Sequence, residues 1–149
     1  MKSRTAKGLQ AKGPAEDGKV AFIDQVREGV PAVWVKELSE KFRMPRYQVY
    51  GFLNLPRATV DRSIATNKKL TQDQGERVLA TSSLIGLVEK IVKESGNPKG
   101  FDSAAWLGSW LDQPHPALAG KTPGSYLDTS EGIGMVRDLL IRAQTGAYA

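Results

Sequence analysis

The sequence predicts an all-α fold, a helical bundle. Three observations lead there. Apolar residues recur at spacings of three and four through most of the chain, and no segment sustains the alternation of a strand. Gly, Pro and capping residues punctuate the periodic stretches where helices should begin and end. At 149 residues the chain suits one compact domain, or two very small ones sharing a core.

Residues 1–19 are polar and basic, with no apolar periodicity, and read as a flexible arm whose Lys2, Arg4, Lys7 and Lys12 could touch phosphates. They lack the apolar run of a secretory signal, and no later stretch reaches the ~20 apolar residues of a membrane span. A first helix begins at Val20, with Phe22, Ile23 and Val26 on one face, and closes at Gly29. Pro31 opens a second over 31–43, with Val33, Val35, Leu38 and Phe42 on its buried side. Two short helices, 45–53 and 56–66, follow with only Asn54-Leu55 between them, and Pro56 suits the first turn of the second.

Thr71-Gln72-Asp73-Gln74 is a capping-box pattern, in which the Thr hydroxyl accepts a backbone N–H and Gln74 reaches back. It starts the longest helix, about 71–95. Val78, Leu79, Leu84, Ile85, Val88, Ile91 and Val92 give that helix an apolar band wide enough for contact on two sides. Ser95-Gly96-Asn97-Pro98 ends it. Asp102 is the expected N-cap of a helix carrying Trp106, Leu107, Trp110 and Leu111. Pro114-His115-Pro116 is a rigid extended corner and Gly120-Lys121-Thr122-Pro123 a turn. Asp128 and Glu131 are the expected capping box of a last helix over 130–144, where Ile133, Val136, Leu140 and Ala143 share a face and Gly146 ends the run.

Composition narrows the function. With no Cys there is no disulfide framework, thiolate metal site or thiol nucleophile, and one His cannot supply a multi-histidine site. Phosphate-binding Gly-Lys-Ser/Thr loops and Gly-x-Ser-x-Gly elbows are absent, so neither a catalytic residue nor a metal ligand nor a cofactor site is predicted. The formal charge of +5 is unevenly spread. Residues 1–70 hold 14 Lys and Arg against 7 Asp and Glu, a net +7, whereas residues 71–149 hold 7 against 9, a net −2. A polyanion is the natural partner of the first part, and the second needs a different partner or none.

The two short helices have the size and spacing of a helix-turn-helix. Val49, Leu53, Leu55 and Val60 are apolar where the pair must pack. Arg57, Thr59 and Arg62 then fall on or near the outward face of the second helix, which enters the major groove in such motifs. Arg46 and Gln48, at the start of the first helix, and Lys68 and Lys69, just beyond the second, are the expected phosphate contacts. Three positions depart from the usual motif: Tyr50 where a small residue is common, Asn54 where Gly is, and Ser63 where an apolar residue is. Trp106 and Trp110 have the i, i+4 spacing of both a core stripe and a partner surface.

The carboxy-terminal third resembles a known family. Ala105-Trp106-Leu107, then Pro114-His115-Pro116-Ala117-Leu118-Ala119-Gly120-Lys121-Thr122-Pro123, then Leu127, Thr129, Gly132, Val136, Leu140 and Gly146-Ala147-Tyr148 resemble the toxin-binding domain of Xre/MbcA/ParS-type antitoxins. Leu55-Pro56-Arg57-Ala58-Thr59-Val60-Asp61-Arg62 resembles the Xre-like helix-turn-helix that precedes it in that family. The resemblance divides the chain into an arm (1–19), a DNA-binding domain (20–70), a connecting or dimerisation helix (71–95) and a toxin-binding domain (96–149). It implies a bacterial, cytoplasmic type II antitoxin, a homodimer within a larger complex. Its expected partners are operator DNA, whose shared operon it represses, and a cognate RES-domain toxin that degrades NAD and whose active site it occludes.

The toxin-binding residues expected are Trp106, Trp110, Arg142, Gly146, Ala147, Tyr148 and Ala149, with the last helix inserting its tip into the toxin's cleft. The competing reading is a stand-alone helix-turn-helix regulator without a toxin partner, in which the Trp106/Trp110 segment would be entirely buried.

Overall fold

A computed structural model describes residues 18–96 and 99–144. Among these the chain is helical, with no strand and a single isolated antiparallel bridge between Pro31 and Lys69. The helices are α1 (Lys19–Glu28), α2 (Val33–Phe42), α3 (Arg46–Leu53), α4 (Arg57–Ala65), α5 (Gln72–Glu94), α6 (Ser103–Leu111) and α7 (Ser130–Gln144). Two 3-10 turns, Pro116–Leu118 and Pro123–Tyr126, lie between α6 and α7.

Local chemistry sets most of these ends. Thr71 accepts from the Gln74 N–H at 3.2 Å while the Gln74 side chain accepts from the Thr71 N–H, so the predicted capping box opens α5. Asp102 caps α6 through Oδ1, which accepts from the Ala105 N–H at 3.0 Å, and its Oδ2 takes Arg43 at 2.9 Å. One carboxylate therefore starts α6 and ties it to the end of α2. The cap of α7 is Thr129, not Asp128: the Thr129 hydroxyl accepts from the Gly132 N–H at 2.9 Å. The helix starts one residue later than the Asp128/Glu131 pattern requires.

α5 is the axis of the molecule. α1, α2 and α3 pack on it from one half of the chain, and α6 and α7 pack on it from the other. Thr81, Ser82, Ser83, Leu84 and Ile85 are buried in succession, which a helix allows only when it is surrounded. The wide band expected from Val78 to Val92 is thus used inside one chain as far as Val88, with Ile91 and Val92 half-buried, and a hydrophobic cluster runs from Val26 through Val60 and Val88 to Leu140. The Thr81 hydroxyl is buried without a hydrogen-bond partner among the described residues, whereas Ser82 and Ser83 donate back to the Leu79 and Ala80 carbonyls.

Three apolar stripes differ in detail from their predicted faces. On α1, Val26 is buried and Phe22 packs against the core, but Ile23 is 44% exposed. On α2, Trp34 takes the buried place that periodicity gives to Val33, which is half-buried. On α7, Leu139 joins Ile133, Val136 and Leu140 in the core and Ala143 is exposed. In each the rest of the stripe stays in place and only residues at its edge differ, which the packing of neighbouring helices decides.

The two halves meet closely where α2 crosses α6. A Cβ on Gly108 would run into the Phe42 carbonyl oxygen and stand 2.9 Å from the Phe42 Cβ, so the approach requires glycine. Leu107 and Leu111, beside it on α6, are fully buried.

Candidate functional site

The basic site is built on α3, α4 and the turn between them. Val49, Leu53, Leu55 and Val60 are buried, so the apolar residues that must hold the pair together do so. Asn54 ends α3 in the left-handed conformation, with φ 52° and ψ 56°, which Asn adopts more readily than most residues. Pro56 stands extended as the N-cap of α4. With Val60 inward and Ile64 packed against the core, α4 leaves Arg57, Ala58, Thr59, Arg62 and Ala65 exposed along its outer side. Arg57 and Arg62 carry no ion pair among the described residues.

The other basic candidates sit differently. Lys68 is exposed, and its main chain ties the loop to the body: its N–H donates to Ser63 at 2.8 Å and its carbonyl accepts from Ala32 at 2.9 Å. Lys69 Nζ donates to the Glu28 carbonyl at 2.9 Å and lies across Gly29, satisfying an end of α1. Gln48 is half-buried and lines an open cleft of about 450 Å³ between the start of α3 and α6, with Met44, Asp112 and Gln113. Arg46 reaches α4, its Nη1 lying 3.3 Å from Asp61 Oδ1.

Tyr50, where a small residue is common, explains itself in the same place. It is buried and its hydroxyl donates to Asp61 Oδ1. Burial pushes its pKa up to about 12, helped by the hydrogen bond to Asp61. The Arg46 guanidinium is held above its ordinary value, chiefly by its contact with the Tyr50 hydroxyl, with the Asp61 carboxylate adding to it. Arg46 and Tyr50 are four residues apart on α3, and that i, i+4 spacing was the signal available in the sequence for a shared target.

The second site lies on α6 and the corner after it. Trp106 and Trp110 stack with centroids 6.1 Å apart and planes at 16°. Phe101 extends the row at 6.4 Å from Trp106, and His115 closes it, edge-on at 5.8 Å from Trp110. Trp110 rests against the core, but Trp106 is 39% exposed and Phe101 41%. A regulator without a protein partner would have this segment buried, and the structure does not bury it. His115 Nδ1 accepts from the Ala117 N–H at 3.1 Å, which fixes the Pro-His-Pro corner. Phe101 was not among the predicted residues, since it precedes the helix and carries no periodic signal. Arg142 is exposed near the end of α7, and Gly146, Ala147, Tyr148 and Ala149 lie outside the described residues.

Comparison with known proteins brings the two sites together. Residues 21–80 match the antitoxin Xre-like helix-turn-helix domain, and residues 101–146 match the antitoxin Xre/MbcA/ParS C-terminal toxin-binding domain. The "Prs ADP-ribosylating antitoxin" of Sphingobium sp. is 40% identical over 127 residues, covering 85% of this chain and 80% of the relative. The chain belongs to the Xre-type antitoxin family. "Antitoxin Xre" of Pseudomonas putida is 24% identical over 125 residues, covering 82% of this chain and 70% of that one.

In this antitoxin, α5 joins the two matched regions, and Arg77 on it reaches the turn of the helix-turn-helix. Its Nε donates to the Leu53 carbonyl at 2.8 Å and Nη2 to the Asn54 carbonyl at 3.3 Å, while Asp73 pairs with Nη1 at 2.6 Å. These carbonyls are the ones the end of α3 leaves unpaired. Sequence reading missed Arg77, because nothing local marks the carbonyls it serves. Among the described residues there is no group of His, Asp and Glu able to hold a metal, and no helix long and apolar enough to cross a membrane.

Proposed function

We propose that this antitoxin neutralises a cognate RES-domain toxin by docking its carboxy-terminal domain over the toxin's NAD site, and represses the operon that encodes both. The observation that carries the toxin half is the exposed aromatic row on the domain that matches toxin-binding modules. Large, rigid aromatic side chains give binding area at low entropic cost. NAD chemistry is supported by a relative whose name couples an antitoxin to ADP-ribosylation, a transfer that draws its ADP-ribose from NAD. The RES identity of the toxin comes from the family resemblance of the sequence.

Inhibition works by occlusion. Arg142 is exposed near the end of α7, and residues 146–149 would form the plug: Tyr148 supplies area, while Arg142 supplies charge toward a nucleotide pocket. The helix-turn-helix presents Arg57, Thr59 and Arg62 to operator DNA, with Lys68 as a backbone contact. Assembly as a homodimer within the complex, with ends of α5 beyond the intramolecular core adding to the interface, completes the reading in a bacterial cytoplasm.

One set of variants tests both halves. Deleting 146–149, or replacing Trp106 with Ala, should weaken protection of cells expressing the adjacent toxin while leaving the circular dichroism spectrum unchanged. Full protection by both variants refutes the docking mode. Replacing Arg57 and Arg62 with Ala should lower affinity for the promoter and flatten its salt dependence, the slope falling by about one for every phosphate that is no longer neutralised.

A further inference from the structure

Asp61 presents a problem for the DNA-binding reading, and its surroundings answer it. It lies on α4, next to Arg62 in sequence, on the helix whose outer side carries the cations meant for a duplex. A bare carboxylate there would face phosphates within a few ångströms, well inside the ~8 Å screening length at physiological salt. The carboxylate is not bare. Arg46 Nη1 stands 3.3 Å from Oδ1, and the Tyr50 hydroxyl donates to the same oxygen. Both partners come from α3, so the charge is drawn toward the first helix of the motif. Tyr50, only 4% exposed, is held by the core and fixes where the carboxylate must sit. Arg46 makes this ion pair, unlike Arg57 and Arg62, which have none among the described residues.

We propose that Arg46 serves DNA binding from within, as the counter-ion that neutralises Asp61 so that α4 can approach a duplex, and not as the phosphate contact its place at the start of α3 implies. Arg46 is then a positioning residue, and Tyr50 is the buried post against which the pair is set. The proposal rests on the DNA-binding reading above and makes a prediction that reading does not: affinity lost with Arg46 is restored when Asp61 loses its charge as well.

The test is a double-mutant cycle on the full chain. Wild type, R46A, D61N and R46A/D61N are titrated with a duplex taken from upstream of the antitoxin's own reading frame, over a range of salt concentrations. Folding of each is checked by circular dichroism, and R46Q replaces R46A if the latter unfolds. R46A should weaken binding about tenfold, D61N should tighten it, and R46A/D61N should bind within about twofold of wild type, because removing both charges leaves their sum unchanged. An R46A/D61N that binds as weakly as R46A, with D61N no tighter than wild type, would mark Arg46 as a direct phosphate contact and overturn the proposal. A wild type that shows no salt-dependent binding fails the DNA-binding reading itself, and the proposal with it. A thermal cycle on the same variants needs no DNA: it should show Arg46 and Asp61 coupled, and additive effects would overturn the pair even where DNA binds.

Discussion

Tyr50 shows how one side chain can reverse the meaning of a motif position. A small residue there usually lets two helices close on each other, whereas here a large one is admitted because its ring enters the core and its hydroxyl finds Asp61. That arrangement has a signature in pH. The folded chain holds the Tyr50 proton up to about pH 12, against an ordinary value near 10 in the unfolded chain. The folded value is raised, so the stabilisation is complete below pH 10 and is lost as pH rises from 10 to 12. The stability difference between wild type and Y50F, followed by thermal melts from neutral pH upward, should therefore be constant below pH 10 and shrink across that window. A difference that stays constant to pH 12 would show that Tyr50 keeps no special proton. Comparison with Y50F cancels whatever the two proteins share.

Helices α3 and α4 are too short to be stable alone, so their geometry depends on what other elements give them. Arg77 of α5 supplies hydrogen bonds to two carbonyls at the turn, from a side chain that is only 12% exposed. Its pair with Asp73 is a different matter, since the Asp73 side chain is almost wholly exposed and such pairs contribute little. R77A should therefore cost about 1–3 kcal/mol, because it strips charge-assisted partners from two carbonyls at a half-buried helix end. D73A should cost less than about 1 kcal/mol. Denaturant melts of the two variants decide this, and equal losses would mean that the ion pair, not the turn, is what Arg77 serves. The pattern of helices was legible in the residues because caps and periodicity are local. The clamp was not, because Arg77 and the carbonyls it meets are 23 and 24 residues apart and backbone groups leave no mark on a sequence.

Across the chain, the helix-turn-helix and the region matching toxin-binding domains share one core about α5. A lesion at their junction should be felt by both. Gly108→Ala puts a methyl against the Phe42 backbone and should destabilise the chain by about 1–3 kcal/mol. It should also preserve coincident unfolding transitions by tryptophan fluorescence and far-UV circular dichroism. Separate transitions would mean that the halves fold independently. The shared core also bears on the division drawn at residues 70 and 95. That division follows the family resemblance, which describes what each segment offers, while burial through Thr81 to Ile85 makes the connecting helix a common interior.

What could be read from the residues alone was whatever is encoded locally: the helical class, the capping boxes and turns, the helix-turn-helix spacing, the concentration of positive charge before residue 71, and a family pattern carried by ordered glycines, prolines and aromatics. Packing decided the rest. It placed Trp106 at the surface and Leu107 in the core, although both are apolar neighbours on one helix. It turned Lys69 to the end of α1 and Arg46 to Asp61, although both read as phosphate contacts. The reason is physical: residue type states what a side chain can bond, and only the approach of distant elements states which partner is within reach.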